Sequence, residues 1–267
     1  MKIIDCFIFY NELDLLNYRL NILNDVVDYF IIVEATHTFV GKEKNLFYEE
    51  NKNNFDSFKD KIIYIVVDNF PYKFPNINLN NKDQWKNEEY QRNSIKLGIN
   101  KLELNNDDII IISDLDEIPD PNTLKRIKNN EIIITVNTLE LDFYYYNLNS
   151  KQKYLWKKTK ILSFEKYKEL SLTCEQIRQK NYSIIKNGGW HLSYFGDKHF
   201  IKNKIKNFSH QELNNNKFTN LNNIENNINN YNDLFNRLTD KINKISIKDN
   251  KYLPVDYDKY LVKYIRE

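Results

Sequence analysis

The sequence predicts an α/β fold with a mostly parallel central sheet flanked by helices. Three observations lead to this prediction. From the N-terminus to residue 113, short β-branched and aromatic runs alternate with stretches of helical periodicity. Residues 107–113 include four consecutive isoleucines, which is typical of a strand buried on both faces. The 267 residues are also enough to bury a full core.

The elements of this first part follow from the same patterns. Strands are predicted at Ile3–Phe9, Tyr29–Glu34, Lys61–Val67 and Asp108–Ser113. Asn11 is expected to cap a helix, because leucines at positions 13, 16, 20 and 23 repeat at helical spacing after it. A long helix with a polar face is predicted from Asp83 to about Leu104.

Beyond Pro121 the pattern changes and the sheet is extended. Strands are predicted at Glu131–Val136 and Leu139–Asn149, the second ending in three consecutive tyrosines. Gly188 and Gly189 predict a turn into a further short strand, or a place where the backbone approaches a ligand closely.

The C-terminal part, from Phe200 onward, is predicted to be helical and is rich in asparagine. Residues 214–232 are interpreted as a helical hairpin on the surface. Because no linker rich in Pro, Gly or Ser interrupts the chain, one domain over 1–267 is expected. It divides into a nucleotide-binding half (1–120), an acceptor and metal half (121–206) and a helical extension (207–267).

Composition excludes several classes of protein. With 39 basic and 37 acidic residues, the net charge of +2 argues against a general nucleic-acid-binding protein. Two cysteines exclude a disulfide scaffold. No apolar run approaches the roughly 20 residues of a membrane span, and the N-terminus does not resemble a signal peptide. A cytoplasmic protein is therefore expected.

The most specific motif is the acidic segment from Ser113 to Pro119, at the carboxyl end of the predicted central strand. In open α/β sheets, ligands bind outside the carboxyl ends of the strands. Asp114, Asp116 and Glu117 would repel one another there, and a cation would offset that cost. Such oxygen ligands suit Mg²⁺ or Mn²⁺. The plainer interpretation is a solvated acidic turn.

Several segments together resemble one known family. The chain contains, in order, DCFIFYNELDLLNYRLNIL, VVDYFIIVEATHTFVGKEK, KIIYIVVD, Gln91-Arg92, DDIIIISDLDEIP and GGWHLSYFG. Over about residues 2–206, this pattern resembles glycosyltransferase family 17, which includes the β-1,4-mannosyl-glycoprotein N-acetylglucosaminyltransferases. The resemblance implies a GT-A (Rossmann-like) fold and a divalent metal, Mn²⁺ or Mg²⁺. It also implies inverting transfer of a hexose or N-acetylhexosamine from a UDP-sugar to a glycan or glycoprotein acceptor.

The resemblance also implies roles for individual residues. Asp114 and Asp116 match the family's acidic metal motif, with Asp116 the first choice as direct ligand, and Glu117 is expected to support that loop. His191 is a further candidate ligand, and its imidazole suits Mn²⁺ better than Mg²⁺. The alternative for His191 is a buried histidine satisfied by a backbone carbonyl.

The candidate nucleotide-sugar site is broader. Its candidate residues are Phe7, Asn11, Glu34, Arg92, Asp114, Leu115 and Trp190. Thr36, Thr38, Gly41 and Lys42 are expected to border the same pocket. Arg92 either reaches a phosphate or pairs with Glu88 or Glu89 on its own helix.

An inverting transfer needs a carboxylate that takes the proton of the acceptor hydroxyl. Asp142, among the aromatic residues of its strand, is favoured over Glu212, and Asp197 is a third candidate. Donor identity stays open between UDP-GlcNAc and UDP-glucose.

Three other classes of protein are alternatives to this one. A non-catalytic sugar-nucleotide or glycan-binding module of the same fold is the main alternative. A haloacid-dehalogenase-type phosphatase is disfavoured because its acidic loop usually follows the first strand. A structural zinc site is disfavoured because the histidines have no cysteine pair nearby.

Overall fold

The computed structural model of the protein describes residues 1–237 and 242–266. Ten strands occur in the described residues: β1 Ile3–Phe9, β2 Tyr29–Ala35, β3 Ile62–Val67, β4 Ile109–Asp114, β5 Glu117–Pro119, β6 Val136–Tyr145, β7 Ser150–Gln152, β8 Lys160–Ser163, β9 Ser183–Ser193 and β10 Ile242–Lys244. The α-helices there are α1 Leu13–Leu23, α2 Phe47–Asn51, α3 Asp83–Asn93, α4 Ile95–Ile99, α5 Pro121–Lys128, α6 Phe164–Leu170, α7 Cys174–Gln179, α8 Lys198–Asn207, α9 Asn216–Thr219, α10 Leu221–Asn229 and α11 Tyr257–Tyr260.

These strands form one curled sheet, in which parallel pairing gives way to antiparallel pairing beyond β4. Strands β3, β2, β1 and β4 lie side by side and are parallel. Beyond β4 the sheet continues through β8 and β6 with antiparallel pairing, and β6 pairs in parallel with β9. The predicted α/β class with helices around a central sheet is therefore confirmed. The GT-A assignment stays a prediction.

Successive residues of β1 point into two different cores, as the pleat of a strand requires. Ile3 and Phe7 pack with α1 and α5 on one face, whereas Ile4 and Cys6 pack with α4 and α7 on the other. All seven residues of β1 are buried, and so are the four isoleucines of β4. A strand covered on both faces explains the uninterrupted apolar runs in the sequence.

Three predictions about local structure are corrected. The long helix expected after Asp83 consists of α3 and α4, which meet at Ser94, whose hydroxyl bonds to the carbonyl of Tyr90 (2.9 Å) and bends the chain. Of the strand expected over 131–136, only Val136 belongs to the sheet, because pairing with β8 begins there. Helix α1 has no side-chain cap, and Asn11 instead leaves its Oδ1 buried without a partner.

Gly188 and Gly189 lie inside the long strand β9, so the predicted turn is wrong. Pairing between β6 and β9 shifts register between Leu139 and Leu141, which marks a β-bulge beside these glycines. Gly189 has φ +137°, and a Cβ there would overlap the carbonyl oxygen of Ile118. The glycines thus allow close approach of protein backbone, not of a ligand.

The asparagine-rich region is anchored by a few apolar side chains. Ile224 and Ile228 of α10 are buried against Ile201 and Ile205 of α8 and against the aromatic end of β6. The region is therefore more than the surface hairpin that was predicted, since one face of α10 is part of a core. Asparagines occupy the exposed positions around this face.

Within the described ranges, every helix is too short or too polar to cross a lipid bilayer.

Gly189→Ala is expected to lower the free energy of unfolding by at least about 2 kcal/mol, because Ala would be strained at this φ and would collide with β5. Urea unfolding measures this change in the free energy of unfolding. The exposed Lys186→Ala in the same strand is the control and is expected to change stability by less than about 0.5 kcal/mol. Equal stability of Gly189→Ala and the wild type would contradict a tight bulge.

Candidate active site

A cavity of about 310 Å³ opens at the carboxyl ends of β1 and β4. Its wall includes Phe9 and Tyr10 at the end of β1, Thr38 and Phe39 after β2, and residues 114–116 at the end of β4. Helix α3 contributes Trp85 and Arg92, and α8 contributes Lys204. This is the edge of the sheet at which the sequence predicted a ligand.

One buried guanidinium holds the acidic segment in place. Arg19 of α1 is fully buried and makes a two-pronged ion pair with Asp5 of β1 (2.8 and 2.6 Å). It also donates to the Ser113 hydroxyl and to three backbone carbonyls, those of Asp114, Leu115 and Glu117 (2.9, 2.9 and 3.0 Å). The shape of this loop is therefore set by Arg19 and does not require a bound cation.

The first and last acidic side chains of the motif are neutralised by two buried arginines. Asp114 pairs with Arg92 (2.9 Å) and Arg178 (2.7 Å), and Glu117 pairs with Arg178. Glu117 also accepts hydrogen bonds from Trp156 and Thr159. Burial alone would raise the pKa of Glu117, but Arg178 lowers it to about 2. For Asp114, burial outweighs the two arginines and raises the pKa.

Asp116 also lines the cavity, and its partners are a lysine and a histidine where those of Asp114 are arginines. One of its oxygens lies 3.0 Å from the ammonium of Lys204, and the other lies 3.4 Å from Nε2 of His191. Burial opposes ionisation of Asp116, yet Lys204 and His191 hold its pKa well below the usual value. Lys204 also lies 3.3 Å from Glu12, the residue that immediately precedes α1.

The imidazole of His191 is fixed by aromatic rings. It stacks on Phe143 at 4.4 Å between ring centres and contacts Trp156 at the same distance. Its Nδ1 is buried and has no hydrogen-bond partner, so the backbone-satisfied alternative does not describe this histidine. The other ring nitrogen, Nε2, is the one that faces Asp116.

A divalent ion requires several oxygen or nitrogen ligands around one point. Among residues 1–237 and 242–266, no group of three or more His, Cys, Asp or Glu side chains is arranged to hold a metal. Both oxygens of Asp114 are in ion pairs with arginines, so a metal ion there would compete with two fixed cations, and the role of Asp114 as a ligand stays a prediction. Asp116 and His191 fit a two-ligand site, whose remaining ligands would come from a diphosphate and water.

Comparison with known proteins settles the family. The family model described as Glycosyltransferase family 17 matches residues 1–265. The chain belongs to glycosyltransferase family 17. The resemblance stated from the sequence is therefore confirmed, and it extends beyond residue 206 into the asparagine-rich region.

Curated relatives match a shorter part of this family 17 chain. It is similar to the β-1,4-mannosyl-glycoprotein 4-β-N-acetylglucosaminyltransferases of Homo sapiens and Rattus norvegicus, each 35% identical over 113 residues. The Mus musculus protein of that name is 34% identical over the same length. The match covers 41% of this chain and 20% of each relative.

The structure brings some predicted residues to the cavity and not others. The predicted residues that line it are Thr38, Arg92, Asp114, Leu115, Asp116 and His191. Arg92 pairs with Glu88 as one interpretation predicted, and also with Asp114 and Glu175. Phe7 lies under the Arg19 guanidinium, and the Glu34 carboxylate binds Lys44, Tyr64 and two backbone amides. Those two side chains support neighbouring structure, away from the cavity.

Asp142 and Trp190 lie on the opposite face of the sheet from His191. Asp142 is paired in register with Trp190, whereas Phe143 is paired with His191. Asp142 forms an ion pair with Lys151, and the Trp190 indole donates to the carbonyl of Tyr252. This placement does not support Asp142 as a base at the cavity or Trp190 as a nucleotide contact.

The remaining carboxylate candidates also lie outside this cavity wall. Glu212 is exposed and bonds to Nδ1 of His210 (2.7 Å), and only the histidine lines the cavity. Asp197 caps α8 by accepting from the amide of Phe200 (2.8 Å). It lines a second cavity instead.

Sequence reasoning missed Glu12, Arg178 and Lys204. Arg178 and Lys204 are separated from the acidic motif by 64 and 88 positions, and neither belongs to a recognisable motif. Glu12 did carry a signal, since it directly follows Asn11 at the end of the first strand.

Acid is expected to destabilise the protein through Glu117. Its pKa of about 2 is below the usual 4.5, so its contribution is complete above about pH 5 and is lost as the pH falls towards 2. Glu117→Gln is expected to cost about 3 kcal/mol at pH 7, because the buried Arg178 loses one of its two carboxylate partners. The variant should therefore show a weaker loss of stability between pH 5 and pH 3.

Urea unfolding at several pH values measures both effects. The control is Glu131→Gln, which removes an exposed ion pair with Arg126 and is expected to cost less than about 1 kcal/mol. An identical pH dependence in the wild type and Glu117→Gln would contradict the assignment.

Proposed function

We propose that the protein is a metal-dependent, inverting glycosyltransferase with a GT-A fold. It moves a hexose or N-acetylhexosamine from a UDP-sugar to a hydroxyl of a glycan or glycoprotein. N-acetylglucosamine is the first candidate sugar because the curated relatives are named for its transfer. The observation that carries the proposal is the group formed by Asp116, His191 and Lys204 in the cavity of a family 17 chain.

The side chains that line the cavity are suited to bind a nucleoside diphosphate. Aromatic side chains of Phe9, Tyr10 and Trp85 in its wall offer faces against which a base and ribose can pack. Lys44, Lys158 and Lys204 provide positive charge for phosphate oxygens. Gln91 and Arg92 are held by the protein, the former by bonds to the carbonyls of Phe9 and Val33. They shape the wall behind the ligand.

Asp116 and His191 are the proposed metal ligands. Mn²⁺ is preferred over Mg²⁺ because one of the two donors is an imidazole nitrogen. When bound, the ion would neutralise negative charge on the departing diphosphate. Lys204 adds a second positive charge beside Asp116, and its two carboxylate partners raise the pKa of this buried ammonium above its usual value. Lys204 therefore stays charged.

We assign the general base to Glu12 in place of Asp142 and Glu212. Glu12 lines the cavity, and its oxygens accept from Lys204 (3.3 Å) and from the amide of Asn11 (3.1 Å). Each oxygen retains a lone pair for the proton of an acceptor hydroxyl. The acceptor oxygen bonds to the anomeric carbon, the bond to the diphosphate oxygen breaks with its electron pair, and the proton passes to Glu12.

UDP binding is the first expected result. Melting temperature is measured with UDP and a panel of UDP-, GDP- and CMP-sugars, each with Mn²⁺ or with a chelator. A ligand at 100 times its Kd adds about 2.7 kcal/mol of stability, so a rise with UDP and Mn²⁺ is expected. Asp116→Asn is expected to abolish this rise, whereas the exposed Asp107→Asn is expected to keep it. No response to any nucleotide would contradict the proposed function.

Glu12→Gln is expected to keep UDP-sugar binding and to lower transfer about 10²-fold or more, because the amide cannot take the proton. Asp142→Asn is the matched control and is expected to transfer at a near-normal rate. Product release by the two variants and the wild type is compared at saturating donor. Loss of transfer in Asp142→Asn alone would return the role of base to Asp142. Donor binding without turnover by the wild type, over a broad acceptor panel, would favour the non-catalytic module.

A further inference from the structure

A second cavity, of about 580 Å³, shares Glu12 with the first. It is lined by the start of α1, the turn after β6, the segment between β9 and α8, and residues near the C-terminus. Glu12 lines both cavities. None of the roles assigned above to the donor, the metal or the diphosphate uses this second space.

Two buried amide atoms in the wall of this cavity have no hydrogen-bond partner. They are Nδ2 of Asn147 and Oδ1 of Asn11, and the Asn147 side chain is almost wholly buried. The orientation of Asn147 is fixed, because its Oδ1 accepts from the amide of Asn149 and the hydroxyl of Ser150 (both 3.0 Å). Leaving a buried donor or acceptor unpaired costs free energy, so a ligand that pairs with both would gain binding free energy.

The rest of the wall combines aromatic rings with opposed charges. Phe195 and Tyr264 pack against each other at 4.9 Å between ring centres, and Phe200 lies beside them, only half-buried. Carboxylates come from Glu12, Asp14 and Asp197, and cations from Lys263 and Arg266, with Lys263 already paired to Asp14. The excess of carboxylates disfavours a phosphate or another anion.

We propose that this cavity binds the saccharide acceptor of the transfer reaction. A neutral sugar ring has an apolar face for the aromatic side chains and hydroxyls that both donate and accept. Hydroxyls of the saccharide can accept from Asn147 Nδ2 and donate to Asn11 Oδ1. A hydroxyl directed towards Glu12 then meets the carboxylate that also borders the donor cavity. This inference rests on the proposed function, because it requires a sugar donor in the first cavity.

The test measures saccharide binding to the full chain by saturation-transfer NMR, with UDP and Mn²⁺ present. The probes are chitobiose, α-1,3-mannobiose, lactose and cellobiose, and the UDP signal is recorded in the same sample. Asn147→Asp keeps the Oδ1 acceptor and removes the unpaired donor, and Phe200→Ala removes an aromatic wall. Each is expected to weaken saccharide binding about tenfold while leaving UDP binding unchanged.

Phe218→Ala is the control, since Phe218 lies on α9 outside both cavities and packs against Phe235. It is expected to bind saccharide like the wild type. Equal saccharide binding by all variants would overturn the inference, and so would UDP binding without binding of any saccharide. If the wild type bound neither UDP nor any saccharide, the proposed function itself would be contradicted. A variant that unfolds is recognised by its lost UDP signal, and the other variant then decides.

Discussion

The geometry of the candidate site depends on the guanidinium of Arg19. Its five donors are occupied by Asp5, Ser113 and the carbonyls of the acidic loop, so β1, α1 and β4 are joined at one buried point. A lysine could not reproduce this arrangement, because an ammonium has three donors and no planar fork. Without this bond network, the carbonyls of a buried turn would lack partners and the loop would have no single shape.

The basic side chains around the acidic motif then determine the role of each of its three carboxylates. Asp114 and Glu117 are committed to Arg92 and Arg178, which makes them part of the support. Asp116, which lines the cavity as Asp114 does, is paired instead with Lys204 and His191. Three neighbouring carboxylates thus have distinct roles because their partners differ, although their chemistry is the same.

The sequence predicted the parallel half of the sheet and the position of the acidic motif, because both depend on local patterns: apolar runs for β1 to β4, and acids directly after a strand. It did not predict which face Asp142 occupies, since the register shift beside Gly189 decides which residues of β6 stand beside His191. Nor did it predict Arg178 and Lys204, whose pairing with the motif exists only after the chain folds. Local sequence patterns identify strands and motifs, whereas ion pairs between residues distant along the chain can be identified only in the folded structure.

The network around Arg19 has a consequence for how the protein acquires its structure. The guanidinium and the carbonyls that it binds are 95 to 98 positions apart, and Lys204 is a further stretch of chain beyond them. Closing such long loops costs entropy before any contact compensates for it. Contacts of this sequence separation slow folding, so the loop that bears Asp116 is expected to reach its native shape only after β4 has docked beside β1. During synthesis, Arg19 and Asp5 of the N-terminal part could pair before the ribosome has synthesised the acidic motif.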